Sequence, residues 1–433
     1  MKSFKCILLS SIFSIFYSLH VFSQNQTGNF LYRCNEKLVD IVMEDLFTPP
    51  VASRVHVYPN IAAYGVLCKC NKNMKPIEGK LNELGSLPSP PEGIDCFLSS
   101  RAAFTTVAKK LVYSEYLISE FENQENTTWL SAHQNDSAML NRSLDYGKTV
   151  GQNIIMWMKK DNYDYTRTLS RYVLSDTAGA WQPTGPDYAN AIEPNWPLIR
   201  SFLFDSTTLI KCIPNVPYSE KKNSDYYKNA YAMYKQSLEL DTEKKVIASF
   251  WDCNPNITKS AGHFTYFVHK ISPAGHWICL AGQACKNRQL DEYKTAEVYT
   301  FLTLAIFEGI RSCWTSKYFY NALRPETYIN RLILPKWKSF IETPPFPEYT
   351  SGHSVISGAS STVLTALIPQ PYEFTDSTEM YINLPPRHFK NFVDAANEAS
   401  ISRFYGGIHY RPSLDNGLVQ GRQVAEFILR KIN

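Results

Sequence analysis

From Tyr293 to Leu323 the chain runs for 31 residues without a proline and with a single glycine, and nearly every position is apolar, aromatic or small. Such a stretch reads as one long helix buried on most of its faces, around which the rest of the chain must pack. Pro325 sets its limit, because the residue before a proline is pushed out of the helical region. Lys317 and Arg324 stand seven positions apart, two turns, so the spacing puts both on one face near the C-terminal end, where cations are also favoured by the helix dipole.

Two further segments supply matching chemistry. Ser351-Gly352-His353 leads into SVISGASSTVLTAL, a helix of small and apolar residues, so these three residues sit at its N-terminus. Free N–H groups there bind anions, and a glycine lets the anion approach the backbone. Ser402-Arg403 lies in the last turn of a helical pattern that Gly406-Gly407 breaks, and His409 follows before a new helix starts near Pro412. Three guanidinium or ammonium groups, a hydroxyl, a glycine amide and two imidazoles can fix one tetrahedral oxyanion and perform acid–base chemistry on it.

The three segments, K-x6-RP, SGH and SR-x5-H, resemble the signature shared by the type 2 phosphatidic acid phosphatase superfamily and the vanadium-dependent haloperoxidases; only the proline that usually precedes SGH is replaced, by Thr350. Upstream blocks resemble those of bacterial haloperoxidase-like proteins: Pro50 to Arg54 with Ile61 to Tyr64, Trp181 to Tyr188, and Ser272 to Trp277. The resemblance implies an all-α, haloperoxidase/acid phosphatase-like helical bundle and a haloperoxidase that uses hydrogen peroxide to oxidise halide to hypohalous acid. It implies vanadate (vanadium(V)) as cofactor, with His409 as its metal ligand. Lys317, Arg324, Ser351, Gly352 and Arg403 would bind the vanadate oxygens, and His353 would act as the acid–base residue, so that the catalytic set is His353, Lys317, Arg324, Arg403 and His409. Iodide or bromide is the expected halide rather than chloride, which is the hardest to oxidise, and organic acceptors are further possible partners.

Relatives often place an aspartate four residues after the metal-binding histidine. Here Ser413 holds that position and the nearest acid in sequence is Asp415, which leaves those two as candidate supports for His409. Phosphate and vanadate share shape and charge, so the alternative function is a soluble acid phosphatase with His409 as nucleophile, a phosphohistidine intermediate and His353 protonating the leaving alcohol. Phe346, in Pro344 to Pro347 ahead of the Ser-Gly-His turn, is placed either at the pocket mouth or as a loop anchor. His263, His269 and His276 are read as core histidines in preference to site residues.

With 433 residues, 44% of them hydrophobic, the chain can bury a large core. Its net charge of +4 includes Lys2 and Lys5, without which it is about +2, so no nucleic-acid partner is expected. These lysines precede an apolar run from Cys6 to Phe22, and residues 1–23 read as a signal peptide that sends a single large helical domain, 24–433, to the periplasm or the exterior, with the active-site motifs in 310–420. No membrane span is expected in that mature chain. Nine cysteines remain after the leader; export permits disulfides, the odd count leaves at least one thiol out, and connectivity is open. Further helices are expected at Asn35 to Leu46, Arg101 to Asn123, Ser137 to Lys160, Ser224 to Leu240, Thr242 to Trp251, Ser354 to Leu367, Phe389 to Phe404 and Pro412 to Ile432.

Overall fold

A computed structural model describes residues 30–205, 212–254, 258–261, 264–267 and 269–432. The expected leader, and His263, lie outside the described residues. The order is α1 (Phe30–Glu44), α2 (Pro49–Cys70), α3 (Cys96–Lys109), α4 (Glu115–Ala132), α5 (Ser137–Met158), α6 (Tyr163–Thr168), α7 (Asp225–Leu238), α8 (Thr242–Phe250), the antiparallel pair β1 (Thr258–Ala261) and β2 (Phe264–Phe267), α9 (Pro273–Asn287), α10 (Glu292–Tyr320), α11 (Pro325–Leu332), α12 (Gly352–Leu367), the antiparallel pair β3 (Phe374–Asp376) and β4 (Arg387–Phe389), α13 (Phe392–Tyr405) and α14 (Arg411–Ile432). The fold is therefore almost entirely helical. Among the described residues no helix is long and apolar enough to cross a membrane.

The long helix α10 is the axis of the molecule, buried from Thr295 to Ile310 except at Glu297, and again at Cys313, Trp314, Ser316 and Lys317. It packs against α2 on one side and against α12 and α14 on the other. Small residues let α12 and α14 come close: a Cβ on Gly358 would fall 2.5 Å from the Leu418 carbonyl oxygen, and one on Gly421 would collide with that of Val355. This close pairing fixes the start of α12 against the start of α14, and both ends carry site residues.

Several expected helices differ in detail. The stretch from Arg101 to Asn123 is two helices, α3 and α4, with a turn between them held from outside. The Asp45 carboxylate accepts from the Tyr113 and Ser114 amides at 2.7 and 3.2 Å and from the Ser114 hydroxyl at 2.6 Å. Helix α2 was not expected; it opens on Pro49-Pro50, contains Pro59 and is buried on all sides from Ala52 to Leu67, so it shows no amphipathic period. Helices α9 and α11 also went unread. Arg54, in the first upstream block, donates to Asp161 at 2.8 Å, and Tyr58 donates to the same oxygen at 2.8 Å, so that block locks α2 to the end of α5 rather than reaching the site.

One disulfide links Cys70, which ends α2, to Cys96, which opens α3; Cys68 stays a thiol.

Candidate active site

The helix carrying Lys317 ends at Tyr320, three residues before the Leu323 limit that Pro325 sets. Asn321 takes the left-handed conformation, φ 46°, and its N–H caps the Lys317 carbonyl. Arg324 therefore does not lie two turns on along the same helix, as the spacing suggested; it is the residue that opens α11. The two cations meet through the 346–348 segment instead. Lys317 Nζ donates to the Pro347 and Glu348 carbonyls at 2.8 and 3.1 Å, and Arg324 Nε donates to the Phe346 carbonyl at 2.8 Å. Phe346 lies beneath both, with its ring centre 4.9 Å from each charged group, and touches Trp314 at 5.1 Å. It is both a cavity wall and an anchor of this loop.

The other expected placements hold. Ser351 caps α12 by accepting from the Ser354 amide, so the amides of Gly352 and His353 occupy the first turn, where no intrahelical carbonyl is available to them. Arg403 stands in the last turn of α13, where its Nη2 donates to the Ala248 carbonyl at 3.1 Å and its Nε to the Ser402 hydroxyl at 3.0 Å. Thr350, at the usual proline position, donates to Gln420 of α14 at 2.7 Å. Gln420 in turn donates to Ser312 and Ser316 of α10 at 2.8 and 3.1 Å, so the turn before the site is tied to two helices.

His409 is buried at the centre. Its Nδ1 lies 2.9 Å from Glu348 Oε1, and its Nε2 lies 3.1 Å from Arg324 Nη1, which also donates to the Ile408 carbonyl at 2.9 Å. A carboxylate can only accept and a guanidinium can only donate, so the proton sits on Nδ1 and Nε2 keeps its lone pair. Burial, and then the charges of Arg324, Lys317 and Arg403, hold the ring well below the usual histidine range, hence neutral. Glu348 lies 61 residues before His409, so no local spacing links the two in the sequence. Ser413 Oγ is 3.5 Å from Nδ1, at the edge of contact, and Asp415 is exposed on the surface away from the cavity, so neither is the orienting acid. The one available signal was a lone acid, Glu348, inside an otherwise uncharged run just ahead of the Ser-Gly-His turn.

Gly352, His353, Arg403 and His409 line a cavity of about 410 Å³. Lys317, Arg324 and Ser351 do not reach its surface; they are fully buried behind it. Burial pushes Lys317 down to about 7 and Arg324 down to about 10, and raises Glu348 to about 7. His353 is also held well below its ordinary range, first by burial and then by Arg403, so it too is neutral. Two buried nitrogens, Arg324 Nη2 and His353 Nε2, have no hydrogen-bond partner among the described residues. The unpartnered Arg324 guanidinium donor, the unpartnered His353 nitrogen, the His409 lone pair and the helix N-terminus form a cradle for an oxyanion such as vanadate, whose charge would return Lys317 and Arg324 toward their ordinary protonation. The cavity's apolar wall is Trp314, Phe346, Pro344 and Ile356, and Asp187, Glu342 and Asp252 add carboxylates to it. His269 is exposed, 3.3 Å from the Met43 carbonyl, so the core reading fails for it, whereas His276 is buried and does not line the cavity.

Residues 297–433 match the family model described as the VCPO second helical-bundle domain. Among solved structures, one described as the first bacterial vanadium-dependent iodoperoxidase shares 39% identity over 93% of this chain and 95% of its own, with a TM-score of 0.87. Holo and apo forms of a bacterial vanadium-dependent chloroperoxidase share the fold at 14% and 15% identity, with TM-scores of 0.71 and 0.66; they cover 95% and 89% of this chain, which spans 99% and 95% of theirs. No curated protein sequence matches.

Proposed function

Because the chain belongs to the vanadium-dependent haloperoxidases, peroxide-using oxidoreductases, we propose that it holds vanadate at His409 and oxidises iodide in preference to bromide, and bromide in preference to chloride. The observation that carries the assignment is the Nε2 lone pair of His409, fixed by Glu348 on the far side of the ring and surrounded by buried cations. The iodide preference is supported by the 39% identity to a protein described as an iodoperoxidase.

Bound vanadate supplies a Lewis acid that activates hydrogen peroxide toward halide without changing its own oxidation state. The chain does the rest. His409 Nε2 provides the ligand atom, and Glu348 keeps the proton on Nδ1 so that this atom stays free. Lys317, Arg324 and Arg403 balance the oxyanion's charge, with the Ser351 hydroxyl and the Gly352 amide as further donors. His353, neutral and with Nε2 facing no partner among the described residues, accepts and returns the proton that peroxide must lose and product must regain. The Cys70–Cys96 disulfide supports export through the expected leader, residues 1–23, since such bonds persist outside the reducing cytosol.

The test is a halide panel. Protein stripped with chelator and reconstituted with orthovanadate is assayed with hydrogen peroxide and iodide, bromide or chloride, beside hydrolysis of p-nitrophenyl phosphate. Vanadate-restored oxidation in the order iodide, bromide, chloride is expected. Chloride oxidation equal to iodide would overturn the preference, and phosphatase activity inhibited by vanadate with no halide oxidised would move the protein to the phosphatase branch.

A further inference from the structure

A second buried cluster of metal-ligating atoms stands outside the oxyanion cradle. Cys253 follows α8, His276 lies in the first turn of α9, Asp376 ends β3, and Glu379 lies between β3 and β4. All four are at most 2% exposed. His276 Nε2 lies 2.7 Å from Asp376 Oδ2 and 2.9 Å from the Thr378 hydroxyl, which itself donates to Asp376 at 2.7 Å. That bond places the proton on Nε2. The other ring nitrogen, Nδ1, points at Cys253 Sγ, 3.5 Å away, and at Glu379 Oε1, also 3.5 Å away, while the sulfur and the carboxylate are 3.9 Å apart.

These separations are informative. An N–H···O hydrogen bond spans about 2.7–3.2 Å, so Nδ1 and Glu379 stand too far apart to be directly bonded, although the same ring bonds Asp376 closely. The point equidistant from the three donor atoms lies about 2.1 Å from each, and zinc bonds nitrogen, oxygen and sulfur at about 2.0–2.3 Å. A sulfur, an imidazole nitrogen and a carboxylate oxygen are the donors zinc takes, and a ligating histidine ordinarily gives its other N–H to a carboxylate, as His276 does to Asp376. The Trp251 ring stacks on His276 at 4.5 Å and 15°, fixing the plane of the imidazole.

We propose that Cys253 Sγ, His276 Nδ1 and Glu379 Oε1 bind one zinc ion, with Asp376 orienting His276. The ion clamps three segments that meet behind the catalytic cavity. Asp252, Cys253 and Asn254 line that cavity, and Arg403 Nη1 approaches Asp252 at 3.9 Å, so the clamp sets the wall against which Arg403 rests. This inference does not depend on the vanadate reading.

Elemental analysis of full-length protein, produced with zinc in the medium and purified without chelator, is expected to give about one zinc per chain. Replacing zinc by cobalt(II) is expected to produce a thiolate-to-cobalt charge-transfer absorption. Both signals disappear in Cys253→Ser with unchanged far-ultraviolet circular dichroism, and both persist in His409→Ala, which separates this site from the oxyanion cradle. Asp376→Asn is expected to weaken zinc affinity about 10–100-fold. Folded wild-type protein with no zinc and no charge-transfer band on adding cobalt(II) would overturn the proposal, as would an unaltered band in Cys253→Ser. If that variant does not fold, the wild-type zinc content and cobalt spectrum decide alone.

Discussion

Glu348 Oε1 sits 2.9 Å from His409 Nδ1 and at the same time accepts the Tyr410 amide at 3.1 Å, so one carboxylate oxygen fixes both the ring and the backbone beside it. Helix α10 supports that carboxylate from behind, through the Lys317 bond to the Glu348 carbonyl at 3.1 Å. A single acid thereby connects the cation of one helix to the imidazole that follows another.

Glu348→Gln keeps the size of the side chain and removes its charge. Its vanadate affinity, read from titrating stripped protein back to activity, is expected to fall about 10–100-fold, with a larger loss in Glu348→Ala. Affinity within twofold of wild type in both variants would remove Glu348 from the role assigned to it.

His353→Ala is expected to lower kcat by about 10²–10⁴-fold while leaving vanadate affinity within a few-fold, because the proposed function gives the ring the proton transfer and not the ligand role. A loss of vanadate binding as large as the loss of kcat would assign His353 to binding instead.

Glu342 is pushed up to about 7 by burial and by Asp187 and Asp252 across the cavity wall. Below that pH it is neutral and admits an anion more easily; above it the wall gains a negative charge. The KM for iodide is therefore expected to rise as pH increases through about 7, and Glu342→Gln is expected to flatten that rise. An unchanged pH profile in the variant would exclude Glu342 as its source.

His56 is buried and neither ring nitrogen has a partner among the described residues; burial pushes it down to about 3. With His353 and His409 it belongs to a set whose folded pKa lies below the unfolded value, so the native state binds fewer protons than the unfolded chain once pH falls below about 6.5. Their contribution to stability is complete above that pH and lost on acidification. His56→Leu is expected to gain about 1–3 kcal/mol at pH 7 by removing a buried polar group without partners, and more at pH 5. Thermal melts across pH check it, and a variant less stable than wild type at pH 5 would contradict it.

The residues proposed to meet the oxyanion were legible because each sits at a helix end that local sequence marks: Lys317 in a last turn, Ser351-Gly352 at a first turn, Arg403 ahead of paired glycines. What could not be read is what tertiary packing decides. Asn321, not Pro325, ends α10, and the site then takes Arg324 from the next helix. Glu348 is 61 residues from His409, and only folding brings them together. Helix α2 escaped for a related reason, since burial on every face erases the period that marks a helix.

The central claim is that His409 Nε2 holds the cofactor, and its most direct test is iodide oxidation by stripped wild-type and His409→Ala proteins as orthovanadate is added back. The wild type is expected to regain activity in a saturable titration, while His409→Ala stays inactive at every vanadate concentration with its fold intact by circular dichroism. Vanadate-dependent activity in His409→Ala comparable to wild type would contradict the assignment.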